Sequence, residues 1–444
     1  MATDRQNLFW TLAHIGLGLL CTLTPFALII WFYLILFTNL FKANSLLQKK
    51  KPAFFFMLFS YLISFELLDR MAKTSPYVPF EIGKYFLVLA GILGLFALGV
   101  RYGVGIWMAI LVTPAVFYDF SGMRPSYDII NTYLAPLAVG LGIAFAYRLS
   151  ITITQLNQIL KFIWWASLAS LVFTFIKTPD FEDISFSLKA NFDTTAGHSS
   201  NQVSTVLGLG MFLSFYGIFK RLNFSGNRIF DFLIFFGFAF QGLLSFSRGG
   251  MLVGVVGILM LLFISESNNS EKNRNTSITV GLIALIALYG TFEIANNITG
   301  GNLLLRYQGE TVGTLSGTKE VTFDRFVTGR AGIFEKDINL WAQYPITGVG
   351  AGASRFLRDK EAIGVSAHVE FSRLLADHGL PGLVYALFFF IRIPLLVFKN
   401  NEKDTQRIVI LALITISVLS TFHAAMRTFV TPLFMILGVL KIKS

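Results

Sequence analysis

The chain has 444 residues, 54% of them hydrophobic and 14% charged. A soluble fold of that length could not bury so much apolar surface, which excludes a soluble enzyme or binding module. The formal net charge of +11 is dispersed over short loops between apolar runs, so it argues for orientation in a bilayer and against nucleic acid.

The single cysteine, Cys21, excludes an intrachain disulfide and predicts no thiol or cysteine-metal chemistry. Phe reaches 47 residues, which a lipid-facing surface accepts at little cost. The stretch Met1 to Pro25 has one arginine, Arg5, ahead of an apolar run. Leu20 stands before Cys21 where a lipoprotein needs a small residue, and no small-x-small cleavage site follows, so this stretch reads as an uncleaved first span.

A membrane span needs roughly 20 apolar residues. Breaking the apolar runs at charged or Pro/Gly-containing turns predicts cores at 7–22, 25–41, 52–68, 82–100, 103–118, 129–147, 159–176, 201–219, 229–246, 250–264, 278–295, 380–398, 407–423 and 428–441. The expected fold is an all-α polytopic membrane protein with about 14 transmembrane helices, within a range of 12–14. Counting from an inside N-terminus, alternate loops hold Lys49 to Lys51, Arg101, Arg148, Lys220 with Arg221 and Arg228, Lys272 with Arg274, Lys399 with Lys403 and Arg407, and Lys441 with Lys443. The short loops on the other side hold fewer: Arg70, Lys73, Arg124, Lys177, Lys189, Arg248 and Arg427. This bias predicts both termini in the cytoplasm.

Three regions follow: 1–297, the first eleven spans; 298–379, one large polar loop; and 380–444, the last three spans. The polar stretches 177–200 and 298–379 then face away from the cytoplasm, while Ser265–Ser277 reads as a solvated cytoplasmic linker. ATP and nucleotide sugars are absent on the outer side, so chemistry there requires a substrate that arrives already activated and lipid-linked. No Walker A, Rossmann glycine pattern, HExxH or Cys/His zinc spacing occurs, and neither cofactor nor metal is expected.

Polar residues that can carry chemistry concentrate from 325 to 382. Arg330 opens Gly329-Arg330-Ala331-Gly332, followed by Tyr344-Pro345-Ile346-Thr347-Gly348-Val349-Gly350-Ala351-Gly352. Guanidinium groups hold phosphate oxygens bidentately without losing charge. Arg330 can equally pair with Asp324 or Glu335, and Arg325, Arg355 and Arg358 are near enough to take its place. Upstream, Arg248 lies in Ser245-Phe246-Ser247-Arg248-Gly249-Gly250. An arginine at the mouth of two spans is costly unless it meets an anion or carboxylate, or snorkels to the interface. His368 opens His368-Val369-Glu370-Phe371-Ser372-Arg373, which runs on to His378-Gly379-Leu380-Pro381-Gly382. A neutral imidazole suits proton abstraction from a hydroxyl. His198, at the start of a span, and Arg427, beside His423 at an outer turn, are further candidates for substrate contact. His14 reads as a packed span residue.

In their order and spacing, Ser-Arg-Gly at 247–249, the arginine opening an amphipathic helix at 330, Pro-x-x-Gly-x-Gly-x-Gly at 345–352 and the histidine-led helix ending in Gly-x-x-Gly resemble the bacterial O-antigen ligase and polymerase family. The resemblance covers about residues 201–382 and departs from the pattern at Val369, where many members carry Asn. It implies a GT-C-like membrane enzyme of the bacterial inner membrane, with short helices in its periplasmic loop. The implied reaction is a metal-independent, inverting glycosyl transfer from an undecaprenyl-pyrophosphate-linked glycan to a lipid A core sugar (ligase) or to a second lipid-linked glycan (polymerase). His368, Arg248 and Arg330 would be catalytic, and Arg325, Arg355, Arg373, His198 and Arg427 would bind substrate. The motifs do not separate ligase from polymerase. A lipid-linked oligosaccharide flippase competes, although Glu66, Lys84, Asp231 and Arg392 read as charges near span ends rather than mid-membrane groups. A non-catalytic envelope assembly protein also competes.

Overall fold

The computed structural model describes residues 2–266, 271–318, 320, 329–358, 363–400 and 405–443. Helices dominate. The first two, α1 (Ala2–Leu23) and α2 (Phe26–Gln48), are separated at Thr24–Pro25, because proline starts a helix readily but lacks the N–H to continue one. There follow α3 (Ala53–Ile63), α4 (Glu66–Ala72), α5 (Ile82–Leu98), α6 (Gly103–Val112), α7 (Ser126–Ala146), α8 (Ile153–Lys177), α9 (Ser200–Phe219), α10 (Arg228–Leu244), α11 (Arg248–Glu266) and α12 (Glu271–Ile298).

The long polar region folds as short helices: α13 (Asn302–Gln308), α14 (Val312–Leu315), α15 (Arg330–Gln343) and α16 (Ser354–Leu357). Then α17 (Glu370–Leu387) passes through a π-helical turn at Phe388–Arg392 into α18 (Ile393–Asn400), before α19 (Thr405–Ser420) and α20 (Val430–Gly438). Two three-residue strands, β1 (Ser150–Thr152) and β2 (Lys441–Lys443), pair in parallel, with Ser150 opposite Lys441.

Each predicted apolar core falls on helix, but the count of crossings is a different matter. Among the described residues six helices are long and apolar enough to span a membrane, and four more are apolar but shorter. The fourteen-span count is not reached on that measure because several cores are broken or short. The core at 52–68 divides into α3 and α4 near Ser64, and the last core holds only Val430–Gly438. The predicted linker 265–277 is mostly helix as well, since α12 starts at Glu271.

Contacts sort the loops into two ends of a helical bundle. At one end Asn223 donates to Asp4 at 2.7 Å, Lys161 to Asn7 at 2.8 Å, and the Arg148 amide to the Val439 carbonyl at 2.8 Å. At the other, Arg70 donates to Gln202 at 2.6 Å and to the Arg427 carbonyl at 3.0 Å, and Arg124 to the Ala351 carbonyl at 3.0 Å. Two charges expected near span ends, Glu66 and Lys84, are in fact each 1% exposed. Burial of a lone charge is prohibitive, but these are paired. Arg70 bridges Glu66 (2.8 Å) and Glu81 (2.9 Å), Lys84 reaches Glu81 at 2.6 Å, and Glu66 also accepts the Phe429 amide at 2.7 Å.

The central helix is α9, with 83% of its apolar window buried, against 28% for α2 and 22% for α12 at the periphery. It packs on α11 with backbones nearly touching. A Cβ on Gly208 would stand 2.2 Å from the Gly250 carbonyl oxygen, and one on Gly250 would stand 2.3 Å from the Ser204 carbonyl carbon. That approach lets Ser204 donate to Ser247 at 2.9 Å and fixes where α11 begins. Gly250→Val is expected to separate α9 from α11 at a cost of about 1–3 kcal/mol or more. Thermal melting of the detergent-purified protein measures this, and an unchanged midpoint would refute the packing argument.

Candidate functional site

Arg248 is the first residue of α11, and the turn before it is unusual. Phe246 adopts φ 55°, the left-handed region, which costs a non-glycine residue roughly 1–2 kcal/mol. The conformation is held because its ring is fully buried and stacks on Phe186 at 5.8 Å. The loop before α9 braces the same turn, with Thr194 donating to the Leu244 carbonyl at 2.6 Å and the Asn191 amide to the Ser245 carbonyl at 3.2 Å. The strained turn aims Ser247 and Arg248 into a cavity of about 150 Å³.

Ala190, Asn201, Phe246, Ser247, Arg248, Gly249, Arg306, Arg330 and His368 line that cavity. Among these described residues three are guanidinium groups and none is a carboxylate. The N-terminus of α11 adds the positive end of a helix dipole. Arg248 donates to the Tyr307 carbonyl at 3.5 Å, and Arg306 to the Phe246 carbonyl at 3.5 Å, so α13 and the α10–α11 turn hold each other's arginines. Arg330, at the start of α15, donates to Asn201 Oδ1 at 3.4 Å. Among the described residues it has no carboxylate partner; Glu335 is not one, and Asp324 lies outside them. Burial first, then neighbouring arginines, lowers both Arg306 and Arg330 to about 10.

Asn201 joins the arginines to the histidine. Its Oδ1 accepts from Ser247 at 2.8 Å and from Arg330, which directs Nδ2 to His368 Nδ1 at 3.3 Å. An amide nitrogen only donates, so Nδ1 of His368 is the acceptor and the neutral ring carries its proton on Nε2. The backbone carbonyl of His368 accepts from the Ala425 amide at 3.1 Å. Burial, then Arg427, Arg330 and His423, lowers the His368 pKa to about 3.

The other predicted residues divide. Arg355, Arg373 and Arg427 line a second, larger cavity of about 480 Å³, next to the first. Arg373 is ion-paired with Glu370 and with Asp377 at 3.0 Å, and the Arg427 guanidinium donates to the Ala367 carbonyl. Asp377 also accepts the Gly352 amide at 3.0 Å and the Ser354 amide at 3.3 Å, so it pins the 345–352 turn to α17. His198 lines neither cavity; its Nε2 lies 3.4 Å from Gln202 Oε1. Arg325 lies outside the described residues. Arg358 is not interchangeable with Arg330, because it is buried and bound to Asp337 at 2.6 and 2.8 Å. His14 is packed as expected, between the Trp10 carbonyl and the Tyr61 hydroxyl at 2.7 Å each. His423 bonds Thr205 at 2.8 Å and lies so close to Gly249 that a Cβ there would meet it at 2.5 Å.

Sequence reasoning missed Asn201 and Arg306. The signal for Arg306 was an arginine set among Leu303, Leu304, Leu305 and Tyr307 in an otherwise polar region. For Asn201 there was only its place at the start of a span.

Residues 232–387 match the model of a family described as O-antigen ligase, and that segment contains Arg248, Arg306, Arg330 and His368. That match supports the motif resemblance to the O-antigen ligase and polymerase family over this segment. Neither the curated proteins nor the solved structures include a match.

Because the His368 pKa lies at about 3 instead of 6.5, the unfolded chain binds more protons than the folded one between those values. This histidine therefore makes the fold less stable as pH falls through that window. Nitrogen-15 NMR of histidine-labelled protein should show the His368 ring neutral, with its proton on Nε2, down to pH 5. A midpoint above 6 would contradict the cationic surroundings derived above.

Proposed function

We propose that this chain, through its O-antigen ligase domain at 232–387, is an inverting glycosyltransferase. It moves a glycan from an undecaprenyl-pyrophosphate carrier to an acceptor hydroxyl on the periplasmic face of the bacterial inner membrane. The observation that carries this reading is the cavity itself: three guanidinium groups line it, and both Arg330 and one imidazole lie within hydrogen-bond reach of the same asparagine. Such a cavity suits a diphosphate, whose oxygens several guanidinium groups can hold at once.

The chemistry follows from charge. The acceptor oxygen forms a bond to the anomeric carbon as the bond from that carbon to the diphosphate oxygen breaks, and the electron pair departs with the diphosphate. Arg248, Arg306 and Arg330 hold the leaving group and stabilise the charge that grows on it. The hydroxyl proton goes to Nδ1 of His368, the only ring nitrogen with a lone pair in this tautomer. Asn201 keeps that lone pair turned into the cavity, at a hydrogen-bond length that an incoming hydroxyl can replace.

A histidine with a pKa of about 3 is a weak base. A diphosphate on the arginines offsets part of the field that depresses it, so donor binding raises the basicity of His368 as the reaction needs it. Attack opposite the leaving group inverts the anomeric centre. The transporter reading is less favoured, since the buried charges Glu66, Arg70, Glu81 and Lys84 bond to one another and form no row across the bundle.

Arg248→Ala, Arg306→Ala, Arg330→Ala and His368→Ala are each expected to lower transfer by about 10²-fold or more while the protein stays in the membrane. Lipid-linked donor turnover in isolated membranes measures this, and full activity in a variant removes that residue from the mechanism. In a deletion strain, loss of polymer with single repeat units still attached marks a polymerase, and bare core with free lipid-linked polymer marks a ligase.

A further inference from the structure

The cavity of about 480 Å³ beside the arginine site differs from it in charge. Three of its four cations are already ion-paired. Lys84 pairs with Glu81 at 2.6 Å, and Arg355 with Asp128 at 3.2 Å. Arg373 pairs with Asp377 at 3.0 Å and donates to Glu370 at 3.1 Å. With Arg427, the lining has four cations and four carboxylates among the described residues, a formal sum of zero, where the described lining of the smaller cavity has three cations and no carboxylate. An anion entering the large cavity would have to compete with the ion pairs that three of these cations already make.

What the large cavity has to spare is hydrogen-bonding capacity. Asn131 Oδ1 and Arg355 Nε are buried and make no hydrogen bond among the described residues. The exposed rings of Phe80 and Tyr127 also line it. A spare acceptor and a spare N–H beside flat apolar faces match a pyranose, whose hydroxyls both donate and accept and whose C–H faces lie against aromatic rings. The volume falls in the range of small-molecule sites.

The two cavities share a wall one residue thick. Asn201 lines the small one and Gln202 the large, and on the opposite segment, before α17, His368 lines the small one and Ala367 the large. We infer that the large cavity binds the terminal acceptor sugar, and that it takes an uncharged saccharide rather than a phosphorylated one. The inference rests on the transferase reading for the identity of the acceptor, while the charge argument is independent of it.

Saturation-transfer NMR on the full chain in lipid nanodiscs tests this with glucose, galactose and N-acetylglucosamine against their 6-phosphates. The neutral sugars should receive saturation, and the phosphates should gain nothing over them. Asn131→Leu and Tyr127→Ala should each weaken binding about fivefold, the value of one lost contact, whereas Arg248→Ala should leave it unchanged. Retained binding of undecaprenyl pyrophosphate shows that these variants are folded. The inference is overturned if only the phosphorylated sugars bind, if no neutral sugar binds, or if their binding ignores Asn131 and Tyr127 and disappears with Arg248. Undecaprenyl pyrophosphate binding that survives both Arg248→Ala and Arg330→Ala would instead defeat the donor assignment and leave this one standing.

Discussion

Three guanidinium groups around one small cavity repel one another, and the surrounding structure is what holds them together. Coulomb repulsion between partly buried like charges is weakly screened, so none of Arg248, Arg306 and Arg330 would stay in place without restraint. Among their restraints, Arg248 and Arg306 each bond a backbone carbonyl, and Arg330 bonds the Asn201 amide. Elsewhere the same chain matches its arginines with acids, as Arg358 with Asp337 and Arg373 with Glu370 and Asp377.

The restraint depends on close backbone packing. Glycines at 208 and 250 let α9 and α11 meet, which brings Asn201 and Ser247 to hydrogen-bonding distance. On the other side, Gly348 packs on the Asp377 backbone, where a Cβ would stand 2.5 Å away, and Gly379 packs on Gly348 in return. Both also have positive φ, so a side chain at either would be strained as well as crowded. The glycine-rich turn at 345–352 and the Gly-x-x-Gly end of the histidine motif are therefore two halves of one contact. That contact anchors the polar region against α17, beside the wall that carries His368.

Charge also separates the two cavities by chemistry. Among the described residues one has cations without acids and the other has cations and acids in equal number, yet they are separated by single residues on α9 and on the segment before α17. A site that brings a charged leaving group and a neutral nucleophile to one carbon needs such a division. A uniform positive field would draw the diphosphate into both chambers.

The helical, membrane-embedded character of the chain was legible in its sequence, because apolar run length reports directly on what can cross a bilayer. The arginine and histidine motifs were legible too, since glycines and charges interrupting apolar runs stand out locally. The number of crossings was not, because helices such as α3 and α4 break at Ser64–Phe65 without a glycine or proline to mark the break. Nor could spacing choose between Arg330 and Arg358, which differ only in whether an acid lies beside them in the folded chain. Asn201 entered the site through tertiary structure: it lies 167 residues from the histidine it touches, and a hydrogen bond over that distance depends on how α9 and the segment before α17 pack.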